Sequence, residues 1–297
     1  MPALNYAQQY STALNEAYPY TLYFGRLWQV NPNEQKYKPV NANTIQIPTL
    51  TVTGRTDGTR DTIGSFGRNF DNQWETKTLS HHRTWNTLVH PRDISETNQI
   101  ASIMNITKTF NEEQKFPEMD AYTISQLYAQ KNAIAPIIQE TAALTTANVL
   151  TKFDALMDIM DEARIPASGR LLYVDTYTKT LIDTAKDVVR SNGDSKLSRS
   201  ISRIEEVEVI SVPTALMKTE YDFTTGYTVG AGAKDIAMML IHPSCIIPCS
   251  NYEFAQLESP SALSQGKYVY FEESFEDIFL ISGKNKPAAI QFVVKKA

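Results

Sequence analysis

The segment from Thr49 to Trp85 limits the possible folds most, because it holds too little apolar surface to form a core of its own. Alternating residues predict a strand over 45–52, and a second alternation over 79–89 predicts its partner. The sequence between them is polar and contains turn-forming glycines, so we predict one long hairpin with a loose tip. A two-stranded ribbon is marginally stable in water, and this one carries Trp74 and Trp85. The hairpin must therefore pack against another surface.

The charges of this segment alternate in sign. Four arginines, Arg55, Arg60, Arg68 and Arg83, are interleaved with Asp57, Asp61, Asp71 and Glu75. Such alternation favours pairing with a similar protein surface over binding along a polyanion. The formal net charge of -5 also argues against a protein whose main surface grips nucleic acid, because phosphate binding requires clustered Lys and Arg.

Helical periodicity replaces strand alternation after the hairpin. Asp93 and Glu96 have the spacing of a capping box, at the start of a helix that ends near Gln114. We predict a break at 115–116 and a second helix from Pro117, so that the two helices form a long, kinked spine. A third helix is predicted from about 141 to 163.

The second half of the chain alternates strands and helices. A strand LLYVD, a helix over 176–190, a strand IEEVEVISV and an apolar strand IAMMLI follow one another. This order is typical of a mixed α/β lobe. Three closing strands, in GKYVYFEES, EDIFLISG and AAIQFVV, are expected to be antiparallel neighbours in a small sheet. The predicted fold class is α+β.

Few residues of the sequence have catalytic potential. It contains no Walker A, HExxH or GxSxG motif, and GYTVGAG precedes a strand instead of a helix. His81 and His82 would point to opposite faces of a strand, which suits neither shared metal ligation nor a base with its orienting partner. Glu112 and Glu113 are adjacent and not convergent, so they are interpreted as solvated or interface charges. We predict no catalytic residue, no metal and no cofactor.

The cysteines and the lengths of the apolar runs bear on the redox state and location of the protein. Cys245 and Cys249 lie in CIIPC and are predicted to be buried free thiols. No apolar run approaches the roughly 20 residues that cross a bilayer, and the start MPALNYAQQY lacks the layout of a secretory signal. The sequence predicts a protein made and folded in a cytosol, without a membrane partner.

Two stretches resemble a known family. DISETNQIASIMNITKTFNEEQKFPEMDAYTISQLYAQK, from Asp93, is similar to the spine region of the major capsid proteins of tailed bacteriophages. GRLLYVDTYTKTLIDTA, from Gly169, resembles the strand and helix that open their axial lobe. The order of aromatic arm, hairpin, spine helix, mixed lobe and closing strands resembles that family over nearly the whole chain. The resemblance implies the Johnson-type phage capsid fold and a shell-forming subunit without enzymatic activity.

The resemblance also implies a division of the chain. It assigns 1–43 to an N-terminal arm, 44–92 to the extended hairpin or E-loop, 93–168 to a peripheral domain with the spine helix, 169–242 to an axial domain, and 243–297 to closing strands that return to the peripheral domain. The hairpin would lie over the peripheral domain of the neighbouring subunit, in hexamers and pentamers of an icosahedral or prolate head. Candidate inter-subunit contacts are Arg55, Arg60, Arg68, Trp74, Lys77, Arg83, Trp85, Glu112 and Glu113.

Partners and location follow from the same resemblance. The arm starts at once, without the scaffolding segment of some relatives, so we expect a separate scaffolding protein, together with a portal and decoration proteins. Packaged double-stranded DNA would be contacted weakly and non-specifically, and the shell would assemble in the host cytoplasm as part of the virion. Some relatives weld subunits through a hairpin lysine. Lys77 is the only lysine of 44–92, but the sequence identifies no matching asparagine, so we expect no crosslink.

Two other functions remain open. An encapsulin-like bacterial compartment uses a related subunit, and it would need a cargo-docking N-terminal helix, for which Tyr6, Tyr10 and Leu14 form a candidate stripe. An enzyme with 49–85 as a mobile lid belongs to a different class and would need convergent titratable groups in a pocket. The sequence offers no candidate set for such a pocket.

Overall fold

The computed structural model describes most of the chain outside its N-terminal end. The described residues are 22–29, 37–41, 43–55, 57, 67–96, 103–140, 142–190, 203–204, 206–283 and 285–295. The predicted stripe of Tyr6, Tyr10 and Leu14, the centre of the hairpin tip and Arg60 lie outside these residues. The first described helix is α1, Gly25–Gln29.

A six-stranded sheet forms the centre of the molecule. Its strands are β5 (Ile138–Gln139), β6 (Leu171–Asp175), β7 (Arg203–Ile204), β8 (Val207–Val212), β11 (Ile236–Ile241) and β14 (Ile290–Val294), in the order β5-β14-β11-β6-β8-β7. All six residues of IAMMLI in β11 are buried, as expected for a strand covered on both faces. Helix α6 (Thr176–Arg190) links β6 to its parallel neighbour β8. The predicted strand, helix, strand order is therefore confirmed.

Helices cover both faces of this sheet. Met239 and Ile241 belong to the apolar core that includes Leu127 of the spine helix. Met238 and Leu240, which alternate with them, pack in the core formed with α5 (Val149–Glu162) and α6. The alternation of β11 therefore separates the two cores, one on each side of the sheet.

The spine is continuous where a break was predicted. Helix α3 (Ile103–Phe110) passes through a π-helical turn, Asn111–Lys115, into α4 (Phe116–Ile134). In this turn the Phe116 N–H donates to the carbonyl oxygen of Asn111, five residues earlier. Pro117 lacks an N–H and its ring crowds the preceding turn, and the wider turn accommodates both effects without ending the helix.

Two predicted helix starts are wrong. Helix α2 (Pro91–Glu96) starts at Pro91, so Asp93 is not at the N-cap position that the capping-box spacing predicted. The His90 ring accepts the N–H of Arg92 instead, at 3.1 Å. Helix α5 begins at Val149 and not near 141, because the Asn148 side chain accepts the N–H of Thr145 at 2.7 Å and fixes a turn there.

A second sheet lies beside the central one. It contains β12 (Ile246–Glu258), β13 (Tyr268–Leu280) and β4 (His82–Val89), in the order β12-β13-β4, and all pairs are antiparallel. The predicted closing sheet is therefore wrong in two respects. GKYVYFEES and EDIFLISG form the single strand β13, and AAIQFVV forms β14 of the central sheet. Strand β12, the partner of β13, was not predicted.

The hairpin projects from this second sheet. It consists of β1 (Lys38–Asn41), β2 (Thr44–Val52) and β3 (Phe70–Thr78), in the order β1-β2-β3. The predicted far arm over 79–89 is wrong, because β4 pairs with β13 in the body and β3 is the partner of β2. The sequence of β3, FDNQWETKT, is mainly polar and therefore gives a weak strand signal.

The two cysteines are free and buried, as predicted. Burial raises the pKa of Cys245 to about 12 and that of Cys249 to about 11. Because only the thiolate reacts, we expect the native chain to resist a thiol reagent at pH 8, whereas the unfolded chain exposes both thiols. Titration with Ellman's reagent, with and without guanidinium, measures this difference. Rapid labelling of either thiol in the native chain would contradict it.

Candidate assembly surface

The strand register divides the hairpin into two faces. Directly opposite residues share a face, and Pro48 pairs with Trp74, Leu50 with Asn72 and Val52 with Phe70. One face of the distal ribbon is therefore mainly apolar: besides Asn72 it presents five apolar residues, which we call the ribbon face, namely Pro48, Leu50, Val52, Phe70 and Trp74. These five residues are exposed, Leu50 by 67% and Val52 by 73%.

The opposite face anchors the hairpin at its base. Ile45 and Ile47 are buried against Ile247, Cys249 and Phe279 of the second sheet. Further along the same face the residues become polar, with Thr49 opposite Gln73 and Thr51 opposite Asp71. The hairpin is thus fixed at one end, while its distal half presents an apolar face to solvent.

An exposed apolar face of this kind marks an interaction surface. Fully burying one side chain such as Leu, Val or Phe contributes about 1.5–3 kcal/mol. The ribbon face holds Leu50, Val52, Phe70 and Trp74, so a complementary surface would gain several times this amount. Among the described residues, no element covers the ribbon face.

Of the predicted contact residues on the hairpin, Trp74, Arg55 and Arg68 lie on or beside this face, whereas Lys77 lies on the opposite face, across from Ile45. Trp74 belongs to it and is 50% exposed. Arg55 and Arg68 are exposed near the tip, and the Arg68 guanidinium lies 4.7 Å from the centre of the Phe70 ring. Lys77 is near the base and forms an ion pair with Glu75 at 2.6 Å. Their role between subunits stays a prediction.

Arg83 and Trp85 lie in the body of the chain and not on the hairpin, contrary to the sequence prediction. The Trp85 ring stacks on Phe110 of the spine, with centroids 3.9 Å apart, so it is half-buried within its own chain. Arg83 forms an ion pair with Glu118 at 2.5 Å and donates to the carbonyl of Phe223 at 2.6 Å. Both side chains therefore have intramolecular partners that the sequence did not reveal.

Glu112 and Glu113 lie in the π-helical turn of the spine, and both are exposed. Glu112 approaches Lys108 at 3.9 Å, a surface pair of small energetic value. Both carboxylates are therefore accessible on the outside of the spine, about one helical turn beyond the stack of Trp85 on Phe110.

A second exposed apolar surface was not predicted. On the outer side of the β12–β13–β4 sheet, Leu88 lies opposite Val269, and Phe254 packs near Phe271 with ring centroids 6.2 Å apart. We call these four residues the sheet face. Leu88 is 60% and Phe254 38% exposed, while Val269 and Phe271 are half-buried. The hairpin base covers the other end of the same side of the sheet, through Phe279 and Ile247.

The structure also brings titratable side chains together in a cleft of about 470 Å³ between β4, the spine, β13 and the loop at 224–226. Burial lowers the pKa of His81 to about 3, so its ring is neutral. Burial raises the pKa of Glu118, although Arg83 opposes this effect, and raises that of Glu276 to about 6. A convergent set was not foreseen, because its members lie far apart in the sequence.

Two carboxylates of this cleft form ion pairs with cations of the cleft. Glu118 is held by Arg83, and Glu272 by Lys115 at 3.2 Å. Arg83 also reaches the carbonyl of Phe223, next to the ribbon formed by β9 (Tyr221–Asp222) and β10 (Thr228–Val229). The geometry therefore joins β4, the spine, β13 and the β9–β10 ribbon through ion pairs and hydrogen bonds.

His81 and His82 point away from each other, as predicted from their adjacent positions. The His81 ring stacks on Tyr122 of the spine, whereas the His82 ring stacks on Phe275 and bonds to Glu273 at 2.7 Å. Within the described residues, no group of three or more His, Cys, Asp or Glu side chains is arranged to hold a metal ion. None of the described helices has the length and apolar content needed to cross a membrane.

Comparisons with known proteins identify the fold. No family model matches the sequence, and no curated protein matches it. Among solved structures, the mature capsid of bacteriophage PhiM1 aligns with a TM-score of 0.63 at 14% identity, covering 86% of this chain and 82% of that one. The capsid of cyanophage P-SCSP1u aligns with a TM-score of 0.62 at 11% identity, covering 86% and 84%. The head of Helicobacter pylori bacteriophage KHP40 gives 0.52 at 12% identity, covering 86% and 85%.

These matches extend over most of both chains. The chain has the mixed α+β fold of bacteriophage capsid proteins, and the fold predicted from the sequence is confirmed. At such low identity the likeness concerns the backbone architecture and not individual residues.

Proposed function

We propose that this chain is the major capsid protein of a tailed bacteriophage and assembles into the closed head that encloses double-stranded DNA. The observation that carries the proposal is the exposed ribbon face on an anchored hairpin, in a chain with the fold of phage capsid subunits. The role is structural and non-enzymatic, and the protein resides in the virion capsid.

Assembly proceeds through head-to-tail contacts between copies. The ribbon face of one subunit packs on the body of its neighbour, and the sheet face supplies an exposed apolar surface for it. Charges are also complementary, because Arg55 and Arg68 flank the ribbon face while Glu258 lies at the rim of the sheet face. A heterologous contact of this kind closes into a ring when the rotation permits, which gives hexamers and pentamers from one sequence.

The parts of the chain take the roles that the resemblance implies. Residues 1–43 form the N-terminal arm, 44–92 contain the hairpin, 93–168 the peripheral domain, 169–242 the axial domain and 243–297 the closing strands. We further propose a separate scaffolding protein, a portal, decoration proteins and assembly in the host cytoplasm. Contacts with DNA are weak and non-specific, consistent with the formal net charge of -5.

Electron microscopy of the purified chain tests this function. The chain is expressed with and without its neighbouring open reading frames, and closed shells with fivefold and sixfold capsomers are expected at least in their presence. DNA inside the shells supports a phage head, whereas packaged protein would indicate a compartment. Small soluble particles under both conditions would overturn the proposal and return the hairpin to the role of a lid.

A further inference from the structure

The outer edge of strand β3 is open along its length. In the order β1-β2-β3, β3 pairs with β2 on one side, and no described strand pairs with its other side. Directly beyond the paired strands, the Thr53 N–H donates to the carbonyl oxygen of Asn69 opposite it, which fixes the residues that bond inward. Five alternate residues of β3 therefore direct their N–H and C=O groups to the open side: Phe70, Asn72, Trp74, Thr76 and Thr78.

The outer edge of β2 is protected, whereas that of β3 is not. Strand β1 covers the outer side of β2 as far as Gln46, and Pro48 follows at the next outward position, where a proline has no N–H to offer. Strand β3 contains no proline, and its register with β2 runs over nine pairs without a bulge. A regular edge whose outward N–H and C=O groups have no strand partner in the described part of the chain is a template for another strand.

The sequence of β3 is complementary to itself in the antiparallel direction. Two copies of FDNQWETKT overlap over all nine residues when Trp74 of one copy lies opposite Trp74 of the other. Asp71 of each copy then lies opposite Lys77 of the other, so opposite charges meet near both ends of the contact. In this register the outward residues face one another, so each such pair exchanges two backbone hydrogen bonds.

The neighbouring registers are less favourable. A shift by one residue sets outward residues against inward ones and breaks the hydrogen-bond pattern. A shift by two residues places Asp71 opposite Glu75 in one direction and Glu75 opposite Glu75 in the other, and like charges that are directly opposite destabilise a pair of strands. Larger shifts shorten the overlap. The charges of β3 therefore favour the register centred on Trp74.

We propose that the open edge of β3 binds the same edge of a second copy of this chain, so that two hairpins join about a twofold axis at Trp74. The contact is isologous and goes beyond the head-to-tail contact proposed above. It joins two three-stranded sheets into one and sets both ribbon faces on the same side, because Trp74 of each copy projects to that side. The edge contact therefore leaves the ribbon face available to the body of a neighbouring subunit.

Cysteine crosslinking of the soluble full-length chain tests this contact. In a hydrogen-bonded antiparallel pair the two Cα atoms lie about 5.5 Å apart, which a disulfide can span. Trp74→Cys is oxidised under mild conditions, and the initial rate of covalent dimer formation is measured on a non-reducing gel. The native cysteines, Cys245 and Cys249, are buried, so the introduced thiol is the accessible one. We expect this rate to exceed that of Leu50→Cys several-fold.

Leu50→Cys is the matched control. Leu50 belongs to the same ribbon face and is 67% exposed, but it lies on β2, one strand further from the twofold axis. Neighbouring strands are about 4.8 Å apart, so two Leu50 residues are too distant for a disulfide across this contact. A rate for Trp74→Cys no higher than that for Leu50→Cys would overturn the proposal. This outcome does not depend on whether shells form, because the rate is measured on soluble subunits.

Charge reversal tests the register. In the Trp74→Cys background, Lys77→Asp sets two carboxylates opposite each other near both ends of the contact, and the crosslinking rate should fall on the order of tenfold. Adding Asp71→Lys exchanges the two charges and should restore the rate. Circular dichroism compares the Tm of the variants and shows that each is folded. An unchanged rate in Lys77→Asp, or no recovery after the exchange, would overturn the contact centred on Trp74.

Discussion

Replacing Leu50 with aspartate is expected to abolish shell formation while leaving the subunit folded. Leu50 lies in the middle of the ribbon face and is 67% exposed, so the isolated chain loses little when it becomes polar. In the shell, each contact would lose about 1.5–3 kcal/mol of apolar burial and would also bury an unpaired carboxylate at a further cost. Six such contacts close a hexamer, so the penalty accumulates over the ring.

A matched substitution on the same strand tests whether the assembly defect depends on the ribbon face. Thr49→Asp places the same carboxylate one residue earlier, on the polar side of the same ribbon, where Gln73 is its cross-strand neighbour. We expect this variant to assemble nearly as well as the native chain. Sedimentation on a sucrose gradient with electron microscopy measures the fraction in shells, and circular dichroism compares the Tm of the soluble subunits. Equal assembly defects in both variants would show that the ribbon face is not part of the contact between subunits.

Elements with a strong local pattern were predictable from the sequence. The run IAMMLI is apolar at every position, so a strand covered on both faces is the simplest arrangement, and β11 occupies the centre of the larger sheet. The helix over 176–190 follows LLYVD as predicted, because helical periodicity begins directly after that strand. In both cases the physical signal lies within a few residues of the chain.

Strand pairing was harder to predict from the sequence, because it depends on residues that lie far apart in the chain. Both β3 and β4 follow the hairpin tip, and β4 has the stronger alternation of large side chains. The partner of β4 is β13, where Thr87 lies opposite Tyr270, 183 residues later in the chain. No residue of the hairpin segment indicates that β3, and not β4, pairs with β2. Trp85 was therefore assigned to the wrong sheet.

The candidate site was predicted in part for the same reason. Trp74 was recognised because a large aromatic side chain in a polar ribbon needs cover. The apolar ribbon face as a whole required the register of β2 against β3, since Phe70 joins Leu50 and Val52 only after the tip has turned. The buried Asp120 of the spine gave no signal at all, because its partners are the backbone N–H groups of Tyr23 and Phe24, and every sequence possesses such groups.

Replacing Asp277 with alanine is expected to destabilise the chain more than any surface change discussed above. Asp277 is 1% exposed and accepts the Tyr122 hydroxyl at 3.0 Å, the Ser80 N–H at 3.0 Å and the Ser80 hydroxyl at 3.2 Å. It thereby ties β13 to the spine and to the turn that joins the hairpin to β4. Alanine would leave the buried Tyr122 hydroxyl without this acceptor, which costs about 1–3 kcal/mol, whereas the donors of Ser80, an exposed residue, can bond to water.

The expected loss is therefore about 1–3 kcal/mol in the free energy of unfolding, measured by urea denaturation with intrinsic fluorescence. Asp277→Asn keeps one acceptor oxygen and should lose less. Glu273→Ala is the matched control, because this carboxylate lies on the same strand, is partly exposed and pairs with His82 at the surface. Such surface pairs contribute about 0–1 kcal/mol, so the control should remain near the native value. The free energy of unfolding of Asp277→Ala could instead stay within about 1 kcal/mol of the native value. In that case the packing of β13 on the spine, and not the hydrogen bonds of Asp277, would hold β13 in place.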